Sequence, residues 1–193
     1  MATQDKYDRQ LRMWGSDGQS KLNKSKIICL GITPSGTECL KNLVLPGVGF
    51  IKIVSDRKIE QRDLGTNFFL SPEAVGKNMV ENLLENLLEL NSDVQGQGVV
   101  SSPQEYFKNH QDELKDFSLI ICDGLSLVGL ESKSQNLAIQ INEFCEENQI
   151  KLVYIRSFGQ IAYLRLYDKC FTSKKSLLIH QLSNQRKMEK SMT

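Results

Sequence analysis

Lys26-Ile27-Ile28-Cys29-Leu30-Gly31-Ile32-Thr33-Pro34-Ser35-Gly36 is the stretch whose reading decides the fold. A short apolar run rich in β-branched residues opens onto a glycine-flanked turn, and an amphipathic run from Thr37 to Leu45 follows. Strand, glycine turn and helix in that order are the opening of a nucleotide-binding α/β unit, where the helix N-terminus offers free N–H groups to a phosphate. The turn has Thr33 where a middle glycine is expected, and Pro34 has no N–H to give. The next strand, Phe50 to Val54, ends in Ser55 rather than in an acid suited to a ribose hydroxyl. The residues favour a tight turn over a phosphate cradle: a scaffold kept without its chemistry.

Outward from that turn, strand-like and helix-like runs alternate. Tyr7, Leu11 and Trp14 share a helical face; strands are predicted at 26–31 and 50–54, with a helix at 36–45 and a loop at 60–70. Val75, Met79, Val80, Leu83, Leu84, Leu87 and Leu88 predict one long helix from Pro72 to Leu90, N-capped by Ser71. Further strands are expected at 96–100, 117–122, 152–155 and 161–166, with a helix at 130–145. This alternation implies parallel β-α-β units, hence a doubly wound, mostly parallel α/β sheet. Leu177, Leu178, Ile179 and Leu182 read as a short helix, and the strand at 161–166 is expected to present an unpaired edge, prone to association, or to depend on a partner.

The 193 residues fit one domain, with 24 basic and 23 acidic side chains. Residues 171–193 hold five cations against Glu189, a charge of +4, which leaves −3 on residues 1–170. The opening Met-Ala-Thr-Gln-Asp-Lys has no apolar core of a secretory signal, and no run approaches the ~18 apolar residues of a membrane span. Cys29, Cys39, Cys122, Cys145 and Cys170 are odd in number and lack C-x-x-C spacing; buried, reduced thiols in the cytoplasm or nucleus are expected. Cys145 has no basic neighbour to make it a nucleophile, and His110 and His180 have no second histidine at ligand spacing, so no metal site is expected.

A family resemblance rests on several segments: Tyr7-Asp8-Arg9-Gln10-Leu11-Arg12-Met13-Trp14-Gly15, Lys41 to Gly49, Asp63-Leu64-Gly65-Thr66-Asn67-Phe68-Phe69-Leu70, Val75-Gly76-Lys77-Asn78, Glu89 to Val94 and Arg156-Ser157-Phe158-Gly159. Together they resemble the ThiF-like adenylating domain of ubiquitin-like-protein activating enzymes, in the branch of regulatory subunits of the heterodimeric neddylation enzyme. The likeness covers residues 6 to about 166; a partial adenylation domain at 1–168 and a divergent basic tail at 169–193 are expected, as in a shortened form of a longer branch.

The resemblance implies a catalytic partner subunit that carries ATP and magnesium and adenylates the modifier, while this chain holds no cofactor of its own. Ser55 matches the ribose-gripping acid of active members, Met79 a phosphate-neutralising lysine, and Leu125 a magnesium-holding aspartate; with Gly31 and Gly36 they make a degenerate pocket. Three missing charge-assisted contacts of roughly 1.5–3 kcal/mol each would weaken nucleotide binding by several powers of ten. Lys77, two residues before Met79, is turned about 200° away on a helix and does not substitute. Arg9 resembles a finger that reaches the partner's ATP phosphates in trans; the plainer alternative is a surface arginine paired with Asp8. Two rivals stand beside this reading. One is a ThiF-type adenylyltransferase acting alone; the other is an NAD-binding oxidoreductase, which would use Asp56, one residue past Ser55, as its ribose acid.

Overall fold

The computed structural model describes residues 6–125 and 136–168, together with the backbone of residues 176–180. The first described elements are α1 (Asp8–Lys24), β1 (Lys26–Leu30), α2 (Pro34–Val44) and β2 (Phe50–Val54). Two 3-10 turns (Gln61–Gly65 and Pro72–Ala74) lead to α3 (Met79–Glu89) and β3 (Gln95–Val99). Then come α4 (Pro103–Asn109), α5 (Gln111–Leu114), β4 (Leu119–Asp123) and α6 (Leu137–Asn148). Three strands, β5 (Lys151–Phe158), β6 (Ile161–Tyr167) and β7 (Ser176–His180), complete the described elements.

The strands form one seven-stranded sheet in the order β3-β2-β1-β4-β5-β6-β7. The first five run parallel, with Ile27 level with Ile51 on one side and with Leu119 on the other. β6 and β7 are antiparallel additions. The doubly wound, mostly parallel architecture expected from the alternation is the one observed.

Period-two alternation explains why both faces are dry. Ile27, Cys29, Ile51, Ile53 and Ile121 pack against α2 and α3 through Leu40, Val44, Val80, Leu83 and Leu87. Ile28, Leu30, Val54, Ile120 and Cys122 face α4 and α6 through Tyr106, Phe107, Ile141, Phe144 and Cys145. Strands buried on both faces read as unbroken apolar runs, and Ile27 to Leu30 is one.

Four sequence expectations need correction. The helix predicted from Pro72 to Leu90 starts only at Met79, because Gly76 lies at φ +85° and Asn78 is extended; Ser71 and Pro72 instead open a 3-10 turn. The segment 60–70 is partly a 3-10 turn rather than plain loop, held by a capping box between Glu60 and Asp63. Leu177 to Ile179 lie in β7, not in a helix, so β6 has a neighbour on each side and the expected bare edge at 161–166 is absent. Finally, Trp14 does not join Tyr7 in the core: Tyr7 is the non-helical N-cap of α1, at φ −110° and ψ 11°, and Trp14 stays 41% exposed while Tyr7 is buried. The first part of the helix predicted at 130–145 lies outside the described residues, and so do Leu182 and Cys170.

One charged pair sits inside the second face. The Lys52 ammonium, its side chain only 5% exposed, donates to the Glu113 carboxylate and lies 5.8 Å from the Phe117 ring; the Tyr106 hydroxyl donates to Glu113 at 2.7 Å. Partial burial opposes ionisation of Glu113, but the bonds from Lys52 and Tyr106 outweigh it and hold the carboxyl below its ordinary 4.5. A depressed carboxyl stabilises the fold above its unfolded value, so this contribution fades as pH falls from about 4.5 through the lowered value. Glu113→Ala strands a buried cation and is expected to cost about 2–3 kcal/mol, less than for a fully buried pair because Glu113 is partly wet. Urea unfolding of Glu113→Ala and of Lys52→Met/Glu113→Ala checks this, the double variant recovering most of the loss.

Candidate functional site

The glycine turn lies where β1 meets α2, beside the carboxyl end of β4. Parallel sheets present their binding crevice at the carboxyl ends of the strands, at the point where strand order reverses. Here β1 is that point, flanked by β2 and β4. Gly31, at φ +83°, makes a turn that a side chain would strain. Thr33, extended, is the N-cap residue of α2, and Pro34 takes the first helical position.

What fills the crevice comes from the chain itself. Asp123, the last residue of β4 and almost wholly buried, aims its carboxylate into the turn. The Thr33 backbone N–H donates to Asp123 Oδ2, and the Thr33 hydroxyl donates to Oδ1 at 2.8 Å. A Cβ on Gly36 would overlap this carboxylate, and one on Gly31 would overlap the Asp123 backbone oxygen. Burial pushes the Asp123 carboxyl up, opposed by the hydrogen bonds from Thr33 and Gly36 and by the charge of Arg57. The Leu125 side chain lies 3.5 Å from where a Gly31 Cβ would stand, and the Leu125 carbonyl accepts from the Tyr154 hydroxyl. Leucine therefore roofs the turn where a metal-binding acid was sought.

The other positions close the crevice from the β2 side. Ser55 is buried and its hydroxyl accepts from the Arg57 N–H at 3.2 Å, while Asp56, the ribose acid of the oxidoreductase alternative, is exposed. Arg57 bridges the Ile32 carbonyl at 3.2 Å and Asp63 at 2.9 Å, tying the loop after β2 to the glycine turn. Asn67 donates to the Thr37 hydroxyl at 3.1 Å, and Thr37 in turn donates to the Thr33 carbonyl. Met79 is part of the apolar core beneath α2 and α3, and Lys77 is exposed.

Gly31, Gly36 and Leu125 thus meet around Asp123, with Ser55 and Met79 at the margins. A phosphate placed at this turn would face the Asp123 carboxylate. Neither Asp123 nor Arg57 stood out in the sequence. The signal for Asp123 was present, an acid ending a strand next to the glycine turn in a doubly wound sheet.

Arg9 stands apart from the turn on the exposed side of α1. Its expected alternative partner, Asp8, pairs with Arg12 at 2.9 Å, and among the described residues Arg9 makes no ion pair. The described thiols are free and have no activating cation: burial pushes Cys29 and Cys122 well up and Cys145 up to about 12. Among the described residues no three His, Cys, Asp or Glu are grouped to hold a metal, and no helix is long and apolar enough to cross a membrane. A cavity of about 410 Å³ opens at the opposite ends of the strands, around Lys52, Glu113, Phe117 and Gln97, and contains none of the sequence-predicted site residues.

The model of the ThiF family matches residues 7–192. The chain belongs to the ThiF family. That match runs past residue 166, where the segment-by-segment likeness ends. Among curated ThiF relatives, the NEDD8-activating enzyme E1 regulatory subunit of Danio rerio is 40% identical over 166 residues, 86% of this chain and 30% of that protein. The regulatory subunit AXR1 of Arabidopsis thaliana is 34% identical over 164 residues, 85% of this chain and 29% of its own length. SUMO-activating enzyme subunit 1 of Dictyostelium discoideum is 30% identical over 79% of this chain and 43% of that protein. The chain thus spans about a third of the regulatory subunits it matches. Among solved ThiF-type folds, the PaaA structure superposes with a TM-score of 0.72 at 17% identity, over 89% of this chain and 53% of that one. A structure of E. coli MccB gives 0.71 at 20%, over 97% and 54%. These two likenesses concern the fold alone.

Proposed function

We propose that this chain is the non-catalytic, regulatory half, or a shortened form of one, of a heterodimeric activating enzyme for the neddylation modifier. It binds no nucleotide or metal itself and supports adenylation on a catalytic subunit that holds ATP and magnesium; it works where thiols stay reduced, in the cytoplasm or nucleus. Residues 1–168 form the adenylation-type unit and 169–193 a basic tail. The observation that carries the reading is the turn between β1 and α2: its anion position is filled by Asp123, while Ser55, Met79 and Leu125 leave no charge for ribose, phosphate or magnesium. Relatives with regulatory-subunit names at 34–40% identity support the branch. Arg9, exposed and without an ion pair among the described residues, is placed to serve a partner's site.

Two measurements test it. Calorimetry of the isolated chain with magnesium-ATP is expected to give no binding tighter than about millimolar, the consequence of three missing charge-assisted contacts. A low-micromolar dissociation constant would favour a self-sufficient adenylyltransferase. Co-expression with a neddylation-type catalytic subunit is expected to yield a complex that exchanges pyrophosphate into ATP in the presence of modifier. Failure of any such pair to form would remove the regulatory assignment.

A further inference from the structure

We propose that the free edge of β3 pairs with a second copy of this chain, joining two sheets into one across a two-fold axis at Gln97. The pairing rests on the edge strand and on α3, and nothing in it depends on a catalytic partner or a modifier.

β3 ends the sheet, and no described strand lies beyond it. The Gln95 N–H donates to the Gly49 carbonyl and the Val99 carbonyl accepts from the Ser55 N–H, so the odd-numbered residues are the ones bonded to β2. In a parallel ladder the N–H and C=O of one residue turn to the same neighbour, which leaves those of Gly96 and Gly98 pointing out of the sheet. Natural proteins blunt such edges with lysine, proline, a bulge or a cover. β3, Gln-Gly-Gln-Gly-Val, has no charge and no proline, and its register with β2 is unbroken. Across residues 92–102 the one charge is Asp93, already held by Lys6 and Tyr7.

Symmetry and α3 together select the occupant. Antiparallel pairing centred on Gln97 sets Gly96 against Gly98 of the second copy, and Gly98 against its Gly96, with both N–H···O bonds made at each pair. Gln97 then faces its own counterpart, and an amide, donor and acceptor at once, can bond to its like. Asp93 falls opposite Ser101, so no like charges meet along the strands. Leu84 and Leu88 of α3 lie directly over this edge: a Cβ on Gly96 would stand 2.7 Å from Leu84 and 3.2 Å from Leu88. Both leucines are only half-buried, and their i, i+4 spacing makes one stripe. α3 packs over β2 and β3, so its copy would lie two strand spacings away, about 10 Å, a usual distance for packed helices. A lone peptide strand would satisfy the edge and leave that stripe wet. A second copy covers both.

The interface is small, under about 1,200 Å², and Glu81 and Glu85, exposed beside the leucine stripe, oppose the approach of the two helices. Sedimentation equilibrium of the full 193-residue chain in reductant, up to about 500 µM, is therefore expected to show a monomer–dimer equilibrium with a dissociation constant of about 10–100 µM. Gln97→Lys sets two ammonium groups opposite each other at the axis and should weaken the dimer at least about tenfold. The Gln97 side chain is exposed, so the melting temperature should stay within about 2 °C of wild type. Without reductant, Gln97→Cys should become a disulfide-linked dimer, because a non-hydrogen-bonded antiparallel pair brings its Cα atoms to about 4.5 Å, within disulfide reach. Glu147→Cys, exposed on α6, and wild type should not link. A chain that stays monomeric at 500 µM would overturn the proposal and leave the edge to a strand from another protein. So would a dimer indifferent to Gln97→Lys, or one that Gln97→Cys fails to link, since its contact would lie elsewhere. Failure to find a catalytic partner changes none of these readings.

Discussion

Replacing Arg9 with alanine is expected to slow modifier adenylation by the reconstituted heterodimer by about 10²-fold or more, with the melting temperature of this chain almost unchanged. Arg9 lies exposed on α1 and makes no ion pair among the described residues, so its removal should stay within roughly ±0.5 kcal/mol of wild-type stability. An arginine supplied in trans is worth about 10³ to 10⁵ in the best-studied phosphoryl-transfer cases, and a smaller factor suits a site where magnesium shares the phosphate charge. Pyrophosphate exchange at matched dimer occupancy measures it. Arg12→Ala is the control, because Arg12 is equally cationic, three residues away, and engaged with Asp8. Equal rates for wild type and both variants would leave Arg9 as a surface charge.

Gly31→Ala should produce the largest loss of stability of any single methyl addition in the glycine turn, roughly 2–5 kcal/mol. About 1–2 kcal/mol comes from forcing a Cβ onto a left-handed backbone. A further 1–3 kcal/mol comes from overpacking, since the new methyl meets the main chain at Asp123, which cannot rotate away as a flexible side-chain end would. Gly65→Ala is the contrast: no atom lies within 4 Å of its Cβ position and its backbone is ordinary, so it should be neutral within about 0.5 kcal/mol. Similar urea midpoints for the two variants would show that β1 and β4 can part at this junction without penalty.

The fold was readable wherever burial on both faces forced continuous apolar runs, as in Ile27 to Leu30 and Leu119 to Cys122. It was misread where local geometry overrode periodicity. Val75 continues the helical pattern of Val80 and Leu83, yet the backbone at Gly76 and Asn78 prevents one helix from carrying them all. Leu177-Leu178-Ile179 suits a strand or a helix over so short a span, and only pairing with Leu164 and its neighbours settles it. At the site, losses could be seen in sequence because Ser55, Met79 and Leu125 are single residues against an expected type. The replacement left only a positional signal, an acid ending a strand beside the turn; its contact with Thr33 spans ninety positions and no spacing rule connects the two.

The placement of β1 between β2 and β4 also has a temporal side. On a growing chain β1 can pair with β2 soon after residue 54 is made, but its other edge waits for residues 119–122. At about 5–20 residues per second, that is an interval of roughly 3–14 s in which Ile27 to Leu30 offer an apolar, half-paired strand. Synthesis of this chain therefore includes a window of vulnerability to association that is gone from the finished molecule, and it closes with the arrival of the strand that carries Asp123.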